Sequence, residues 1–231
     1  MRNNLESLQK EHFVERSDLK EAVYLKLKQM IMKRDFTPNE RIDPVEIAER
    51  LGISRTPVRD ALNMLDAEGF IITVPRQGIY VKGIYRIDLI ELFQYREMVE
   101  LYALEMGFAN LQLQVDEIMQ VHDQFEKLLS ADHYEGNQIM EKDIKLHKLI
   151  VQSTKNKKII DSYEHLNAHV QMARAYYLQD LQRMNNAHME HKKFLDALQA
   201  GNKEQTKNQL KAHLDHTLEN LLRMIEIYKV F

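Results

Sequence analysis

Acidic and imidazole side chains recur at helical spacing in the second half of this sequence. Asp143 and His147 are four residues apart, so on a helix both point from one face, among apolar residues. A carboxylate on such a face is costly to bury unless it is paired or bound to a metal. A second histidine, His191, precedes Phe194 and Leu195 by three and four residues, which predicts that it faces inward from its own helix.

A third histidine, His213, lies at the flank of an apolar stripe on the last predicted helix, whereas His216 points away and is expected to be solvated. One carboxylate and three imidazoles from three helices can form a nitrogen-rich site for a divalent metal with open coordination positions. Spacing alone leaves alternatives open. His165 and His169 are also four residues apart, and His188 precedes the second histidine by three. A metal-free hydrogen bond between the aspartate and its neighbouring histidine is the plainer interpretation.

A site of this kind needs helices to carry it, and the sequence supplies them. Beyond about residue 87, glycine and proline almost vanish and helical periodicity continues to the end. We predict six helices, near 87–110, 114–131, 136–154, 157–180, 184–200 and 202–229. The fold class is therefore mainly α, and residues 87–231 are expected to form one domain, an all-α antiparallel helical bundle.

The first half of the chain shows a different pattern, two short helices around a glycine turn. Ile47, Ala48 and Leu51 share one face of the first helix, and Gly52 ends it. Ser54 is placed to cap the second helix.

The second helix begins in a polar tip that contains Arg55, Thr56 and Arg59, outside its apolar stripe. A helix presented in this way fits the major groove of DNA, which is wide enough to admit it. The alternative is a surface hairpin whose arginines are merely solvated.

Two β-rich runs follow, at 70–74 and 79–81, separated by the turn Pro75-Arg76-Gln77-Gly78. A hairpin at this place is a wing, and Arg76 at its tip would reach phosphates or a minor groove. An upstream helix is predicted from the apolar residues Val23, Leu25, Leu27, Met30 and Ile31. We therefore predict a winged helix-turn-helix over residues 17–83, preceded by an N-terminal arm over residues 1–16.

Composition narrows the function classes. The 231 residues contain no cysteine, which excludes disulfide and thiolate chemistry, and no apolar stretch of the ~20 residues that a membrane span needs. No signal-peptide hydrophobic core is evident, so the expected location is the cytoplasm, without a membrane partner. The net charge of −3 argues against non-specific coating of nucleic acid. Specific DNA affinity would then need two copies of the module, which favours a homodimer.

The N-terminal motifs carry a family resemblance. The run Ser54-Arg55-Thr56-Pro57-Val58-Arg59-Asp60-Ala61-Leu62, with Glu68-Gly69 and Pro75-Arg76-Gln77-Gly78-Ile79-Tyr80-Val81, resembles the DNA-binding domain of GntR-family bacterial transcription regulators. The resemblance implies DNA contacts by Ser54, Arg55, Thr56, Arg59, Arg76, Gln77 and Gly78. Two departures are visible: Pro38-Asn39 replaces a usual Pro-Gly, and Val45 stands where some relatives carry an arginine.

The bundle resembles the FadR-type (FCD) ligand-binding domain over residues 87–225. The matching segments are Leu92 to Glu100, Asp143 to His147 with Asn156, Glu190 to Leu198 with Gly201-Asn202, and Ala212-His213-Leu214. The resemblance implies that Asp143, His147, His191 and His213 bind a divalent metal, with zinc, nickel or manganese each compatible. Leu146 replaces the usual phenylalanine, and Gly201-Asn202 the usual Gly-Asp.

Together the two resemblances imply a transcriptional regulator. A homodimer would bind double-stranded operator DNA, by default as a repressor, and a small carboxylate effector would bind at the metal and modulate operator affinity. Arg96 and Arg174 are the candidate effector-binding side chains, with surface salt bridges as the alternative. Two other interpretations remain: a metal-dependent enzyme built on the Asp/His3 centre, and a metal-free bundle that only dimerises.

Overall fold

The computed structural model describes residues 16–32, 35–83, 85–130, 136–165 and 181–228. These residues form two compact units that divide at Tyr85. Two regions of interest lie outside the described residues: positions 1–15 of the expected arm, and positions 166–180 of the fourth predicted bundle helix.

The first unit is a winged helix-turn-helix. It consists of α1 (Arg16–Met32), β1 (Arg41–Ile42), α2 (Pro44–Leu51), α3 (Arg55–Ala67), β2 (Ile71–Val74) and β3 (Gly78–Val81). The strands form one antiparallel sheet in the order β1-β3-β2. Strand β1 was not predicted, because two residues are too few to show an alternating pattern and only pairing with β3 defines them.

Local chemistry explains the ends of α2. The Asp43 side chain accepts a hydrogen bond from the Val45 amide at 2.8 Å, and Gly52 ends the helix in the left-handed region with a φ of 66°. Ser54 occupies the N-cap of α3, but its side chain makes no capping hydrogen bond. The predicted position is therefore right and the predicted capping bond is wrong.

The core of this unit follows the predicted apolar stripes with one exception. Val58, Ala61, Leu62 and Leu65 of α3 are all buried. Leu25, one of the apolar residues from which α1 was predicted, lies outside the core and is 56% exposed. Its neighbour Tyr24 is buried instead and donates a hydrogen bond to Glu68 at 2.5 Å, so the stripe of α1 runs through position 24.

The second unit is helical throughout its described residues, as predicted. Its helices are α4 (Arg86–Leu113), α5 (Val115–Leu129), α6 (Gly136–Gln152), α7 (Lys157–His165), α8 (Leu181–Gln199) and α9 (Lys203–Tyr228). Helix α9 packs against α4 and α8, while α6 packs against α4 and α5. None of the described helices combines the length and apolar character required to cross a membrane.

The approach of α6 to α4 is unusually close at one point. A Cβ atom added at Gly107 of α4 would lie 2.0 Å from the Ser153 Oγ, just beyond the end of α6. Only glycine fits there. This contact helps to bring the site-bearing face of α6 against α4, where it meets the groups described below.

Candidate metal centre and nucleic-acid interface

Four side chains converge inside the helical unit. The Nε2 atoms of His191 and His213 are 3.2 Å apart, and the Asp143 Oδ1 lies 3.4 Å from the His191 Nε2 and 3.9 Å from the His147 Nε2. One ligand atom from each of the four residues lies within 4.8 Å of all the others. The structure thus brings together, from α6, α8 and α9, the set that the sequence indicated.

His147 is oriented by a residue from a different helix. Its Nδ1 lies 2.6 Å from the Glu100 Oε2, and both side chains are buried. The Nε2 of His147 meets no hydrogen-bond partner among the described residues. Because an ionised carboxylate can only accept, Nδ1 donates this hydrogen bond, and a neutral His147 would present the lone pair of Nε2 to the centre.

His213 is held in the same manner on the other side. Its Nδ1 donates to the Glu190 Oε2 at 2.8 Å, and Arg183 and His216 also donate to this carboxylate. Burial raises the pKa of Glu190, but the His213 hydrogen bond and the Arg183 guanidinium outweigh that and lower it to about 2. Glu190 therefore stays ionised at neutral pH.

The two central histidines are held neutral. Burial, opposed by the hydrogen bond to Glu190, lowers the pKa of His213 to about 4. Burial and the neighbouring His213 lower the pKa of His191 well below its ordinary value. Neutral imidazoles whose nitrogens meet at 3.2 Å can share either a proton or a cation, and neutral imidazole is the form that binds metals.

The donor set fits a divalent metal. Three imidazole nitrogens and one carboxylate oxygen would suit zinc, nickel or manganese. His147 and His213 each bind a carboxylate through their other ring nitrogen, an arrangement that is typical of metal-binding histidines. His188 stacks on His122 with ring centroids 4.0 Å apart, outside the group of four, and its pKa is lowered by burial and by His122.

Arg96 is fully buried rather than a surface residue. Its Nε donates to the Glu100 Oε1 at 2.9 Å, and its guanidinium lies over the Phe93 ring. Burial would lower the pKa of Arg96, but the Glu100 charge raises it above its ordinary value. Neither Nη atom has a hydrogen-bond partner within the described part of the chain. Arg174 and the alternative pair His165 and His169 cannot be compared, since position 174 and position 169 lie outside the described residues and the side chain of residue 165 is not described.

Two carboxylates beside the centre, buried Glu100 and half-buried Glu190, were missed at the sequence level. Glu100 follows Arg96 by four residues on α4, a spacing that predicts an ion pair but not its burial. Glu190 directly precedes His191 in the sequence, yet it serves His213 of another helix. No local signal distinguishes these two residues from solvated glutamates, because the contacts that define them are made between helices.

The candidate DNA-binding surface lies on the first unit. Arg55, Thr56 and Arg59 are exposed on the first two turns of α3, and Ser54 precedes them, also exposed. Neither arginine forms a salt bridge within the ranges that the structure covers, in contrast to Arg50 of α2, which pairs with Glu46. The start of α3 is thus free to approach a polyanion.

The wing turn holds an arginine in an unusual conformation. The Gln77 amide bonds to the Val74 carbonyl at 3.1 Å, and Arg76 at the tip has a φ of 64°, in the left-handed region that favours glycine. Gly78 has a φ of 138°, and a Cβ there would lie 2.9 Å from the Arg41 Nε. The exposed Arg41 of β1 therefore lies beside the wing tip, a position that the sequence did not suggest.

Family models match both halves of the chain. The model described as "Bacterial regulatory proteins, gntR family" matches residues 19–81, and the model described as "FCD domain" matches residues 91–216, which is more than half of the chain.

Relatives that align with most of the chain agree with the family models. The chain is 27% identical over 205 residues to the uncharacterized HTH-type transcriptional regulator YdhC of Bacillus subtilis (strain 168), covering 88% of this chain and 91% of that one. It is 25% identical over 170 residues to the probable D-xylose utilization operon transcriptional repressor of Paenarthrobacter nicotinovorans, covering 74% of each. The solved structure of E. coli McbR/YncC aligns with a TM-score of 0.71 at 21% identity, covering 89% of this chain and 97% of that one.

Proposed function

Because this chain belongs to the gntR family of bacterial regulatory proteins and contains an FCD domain, we propose that it is an operator-binding repressor controlled by a small organic acid at a metal centre. The named relatives are transcriptional regulators, not enzymes. That finding removes the metal-dependent enzyme from the interpretations. A bacterial regulator that binds operator DNA is expected in the cytoplasm, together with the chromosome.

The DNA-binding half of the proposal rests on the exposed start of α3. Arg55 and Arg59 are one helical turn apart, so both side chains leave the helix on one side and reach base edges and phosphates together. Thr56 adds a hydroxyl beside them. Gln77 and Gly78 complete a wing turn that presents Arg76 to the neighbouring backbone or minor groove. Repression follows the relative that is named as a probable repressor.

The sensing half rests on the donor set and on Arg96, which together carry the proposal. Asp143, His147, His191 and His213 would hold the divalent ion, which supplies open positions for oxygen ligands. The two Nη atoms of buried Arg96, which have no hydrogen-bond partner in the described part of the chain, would bind the effector carboxylate through parallel hydrogen bonds. A buried guanidinium whose two Nη groups have no partner among the described residues is costly to maintain, so an anionic ligand is the natural occupant of that position. Arg174 remains a second candidate for the same role.

A homodimer would supply the second DNA-binding unit. Helix α4 exposes large apolar side chains along one side: Ile87, Met98, Tyr102, Met106 and Leu113, the last 86% exposed. An apolar stripe over the length of a helix is typical of a contact between protein copies. Substituting Met98 and Met106 together with glutamate should yield a monomer in sedimentation, whereas Met189→Glu, on an exposed position of α8, should leave the dimer intact.

Selection from a random double-stranded DNA pool tests the operator claim directly. The full chain should enrich a pseudo-palindromic sequence, and replacing Arg55 and Arg59 with alanine should weaken its binding by about 1–3 kcal/mol for each arginine. Arg50→Ala provides the control, since Arg50 is exposed but paired with Glu46. Unchanged affinity in the double variant would contradict the proposal.

Metal analysis of the purified chain tests the sensing claim and separates it from the metal-free bundle. We expect about one divalent ion per chain, and its loss in His191→Ala. A wild-type chain that binds no zinc, nickel or manganese when these are added in excess would leave dimerisation as the role of the bundle.

A further inference from the structure

Glu100 lies between the two halves of the proposed sensing site, and we propose that it is a positioning residue for both of them. Its single carboxylate selects the metal-facing nitrogen of His147 and, at the same time, orients Arg96 so that both Nη atoms remain available to an anion. This inference rests on the proposed function, because it concerns the same metal and the same carboxylate effector.

Glu100 holds His147 through one of its two oxygens. The Glu100 Oε2 lies 2.6 Å from the His147 Nδ1, with both groups shielded from water. A neutral imidazole carries its proton on either nitrogen, and without a partner the Nε2–H form would turn a proton toward the centre. A carboxylate at Nδ1 accepts a hydrogen bond there, so the lone pair is fixed on Nε2.

Glu100 also holds the guanidinium of Arg96. The other oxygen of Glu100, Oε1, accepts from the Arg96 Nε at 2.9 Å and from the Tyr163 hydroxyl at 2.6 Å. Binding through Nε uses one edge of the guanidinium and leaves the edge formed by the two Nη atoms unpartnered among the described residues. That edge matches the two oxygens of a carboxylate.

The Glu100 carboxylate is itself buried. Glu100 has no exposed surface, yet it is surrounded by three donors from three different helices, α4, α6 and α7. A glutamine would have the same shape, but its amide NH2 group would face at least one of these three hydrogen-bond donors. Metal binding and anion binding are thus joined through one group, and each should affect the affinity for the other.

Zinc titration of the full chain in competition with a chromophoric chelator tests this role. We expect Glu100→Gln to weaken zinc binding by about 10–100-fold, the usual cost of losing a carboxylate behind a metal-binding histidine. Glu105→Gln is the matched control, since Glu105 lies on the same helix but is exposed and pairs with Lys203. Its zinc affinity should stay within about twofold of wild type. Equal zinc affinity of Glu100→Gln and wild type would overturn the inference.

A second measurement tests the role of Glu100 even if the Glu100→Gln variant does not fold. Nitrogen-15 NMR of the histidine rings in the wild-type chain should show the Nδ1–H tautomer for His147, assigned by its loss in His147→Gln. The Nε2–H tautomer would overturn the inference without any variant of Glu100. A wild-type chain that binds no zinc but shows the Nδ1–H tautomer would contradict the proposed metal site and leave the positioning by Glu100 intact.

Discussion

The two units of this chain differ in how they place their candidate functional residues. In the first unit, Arg55, Arg59 and Arg76 lie on the surface within about twenty residues of sequence. In the second unit, the ionisable groups lie on α4, α6, α8 and α9, are almost completely buried, and hydrogen-bond to one another. The proposed DNA-binding surface is local and open, whereas the candidate metal centre is assembled over long sequence distances and enclosed.

This difference determines what a substitution does. Removing an exposed arginine deletes a contact to a partner and leaves the core untouched, so function and stability separate. Removing a buried charge leaves its counter-charge without compensation, so function and stability fall together. The substitutions below measure that contrast.

The largest effect should come from replacing a buried arginine of the second unit with methionine, compared with the same replacement at an exposed arginine of the first unit. Arg96→Met removes the guanidinium that neutralises buried Glu100 and should lower the free energy of unfolding by about 3–5 kcal/mol. Arg59→Met, at an exposed position of α3, should change it by less than about 0.5 kcal/mol. Chemical denaturation of both variants checks the pair. Similar losses at the two positions would break the comparison.

Acidification should destabilise the helical unit in the absence of metal. The pKa of His213 is lowered to about 4 and that of His191 also lies below its ordinary value, so the unfolded chain takes up protons first as the pH falls. The full stability is present above pH 6.5 and is lost between pH 6.5 and 4, by roughly 3 kcal/mol for His213 at about 1.4 kcal/mol per pKa unit.

Denaturation at pH 7 and at pH 4.5, with a chelator present, measures that loss. Glu190 adds to this loss of stability only below the ordinary pKa of a glutamate, because its pKa in the folded chain is lowered to about 2. His213→Gln should have a flatter pH dependence than wild type. A wild-type chain that is equally stable at both pH values would contradict the neutral, buried state of these histidines.

Metal should stabilise the helical unit by an amount set by mass action. Zinc at a hundredfold excess over its Kd should add about 2.7 kcal/mol to the free energy of unfolding, and a chelator should remove it. His191→Ala should abolish this gain, whereas His216→Ala should retain it because His216 is exposed and outside the group of four. Thermal unfolding with and without zinc gives the result, and an equal gain in both variants would exclude the proposed ligands.

The smallest effect concerns the wing and has opposite signs for stability and binding. Arg76 has a φ of 64°, so Arg76→Gly should stabilise the chain by up to about 1 kcal/mol. The same variant should bind operator DNA less tightly. The slope of log affinity against log salt concentration should also become shallower by about one. Arg76→Lys should keep that salt dependence. Unchanged binding by Arg76→Gly would show that the wing tip does not contact DNA.

The prediction from sequence succeeded where the pattern was local. The mainly α fold, the helix-turn-helix and the hairpin each have periodic apolar residues and turn residues within a short window, and the structure confirms them. Where a single residue depended on its surroundings, the prediction was less accurate. Leu25 is exposed, the capping bond of Ser54 is absent, and β1 is defined by pairing with β3.

The candidate site shows the same division. Helical spacing indicated that Asp143 shares a face with His147 and that His191 faces inward, but it could not choose among the ten histidines of the chain. Their convergence within 4.8 Å depends on how α6, α8 and α9 pack, and Glu100 and Glu190 become visible only there. Amino-acid order determines which side of each helix a group occupies, because the backbone repeat is fixed. Packing decides which of those sides meet, and burial then sets the charge of the groups between them.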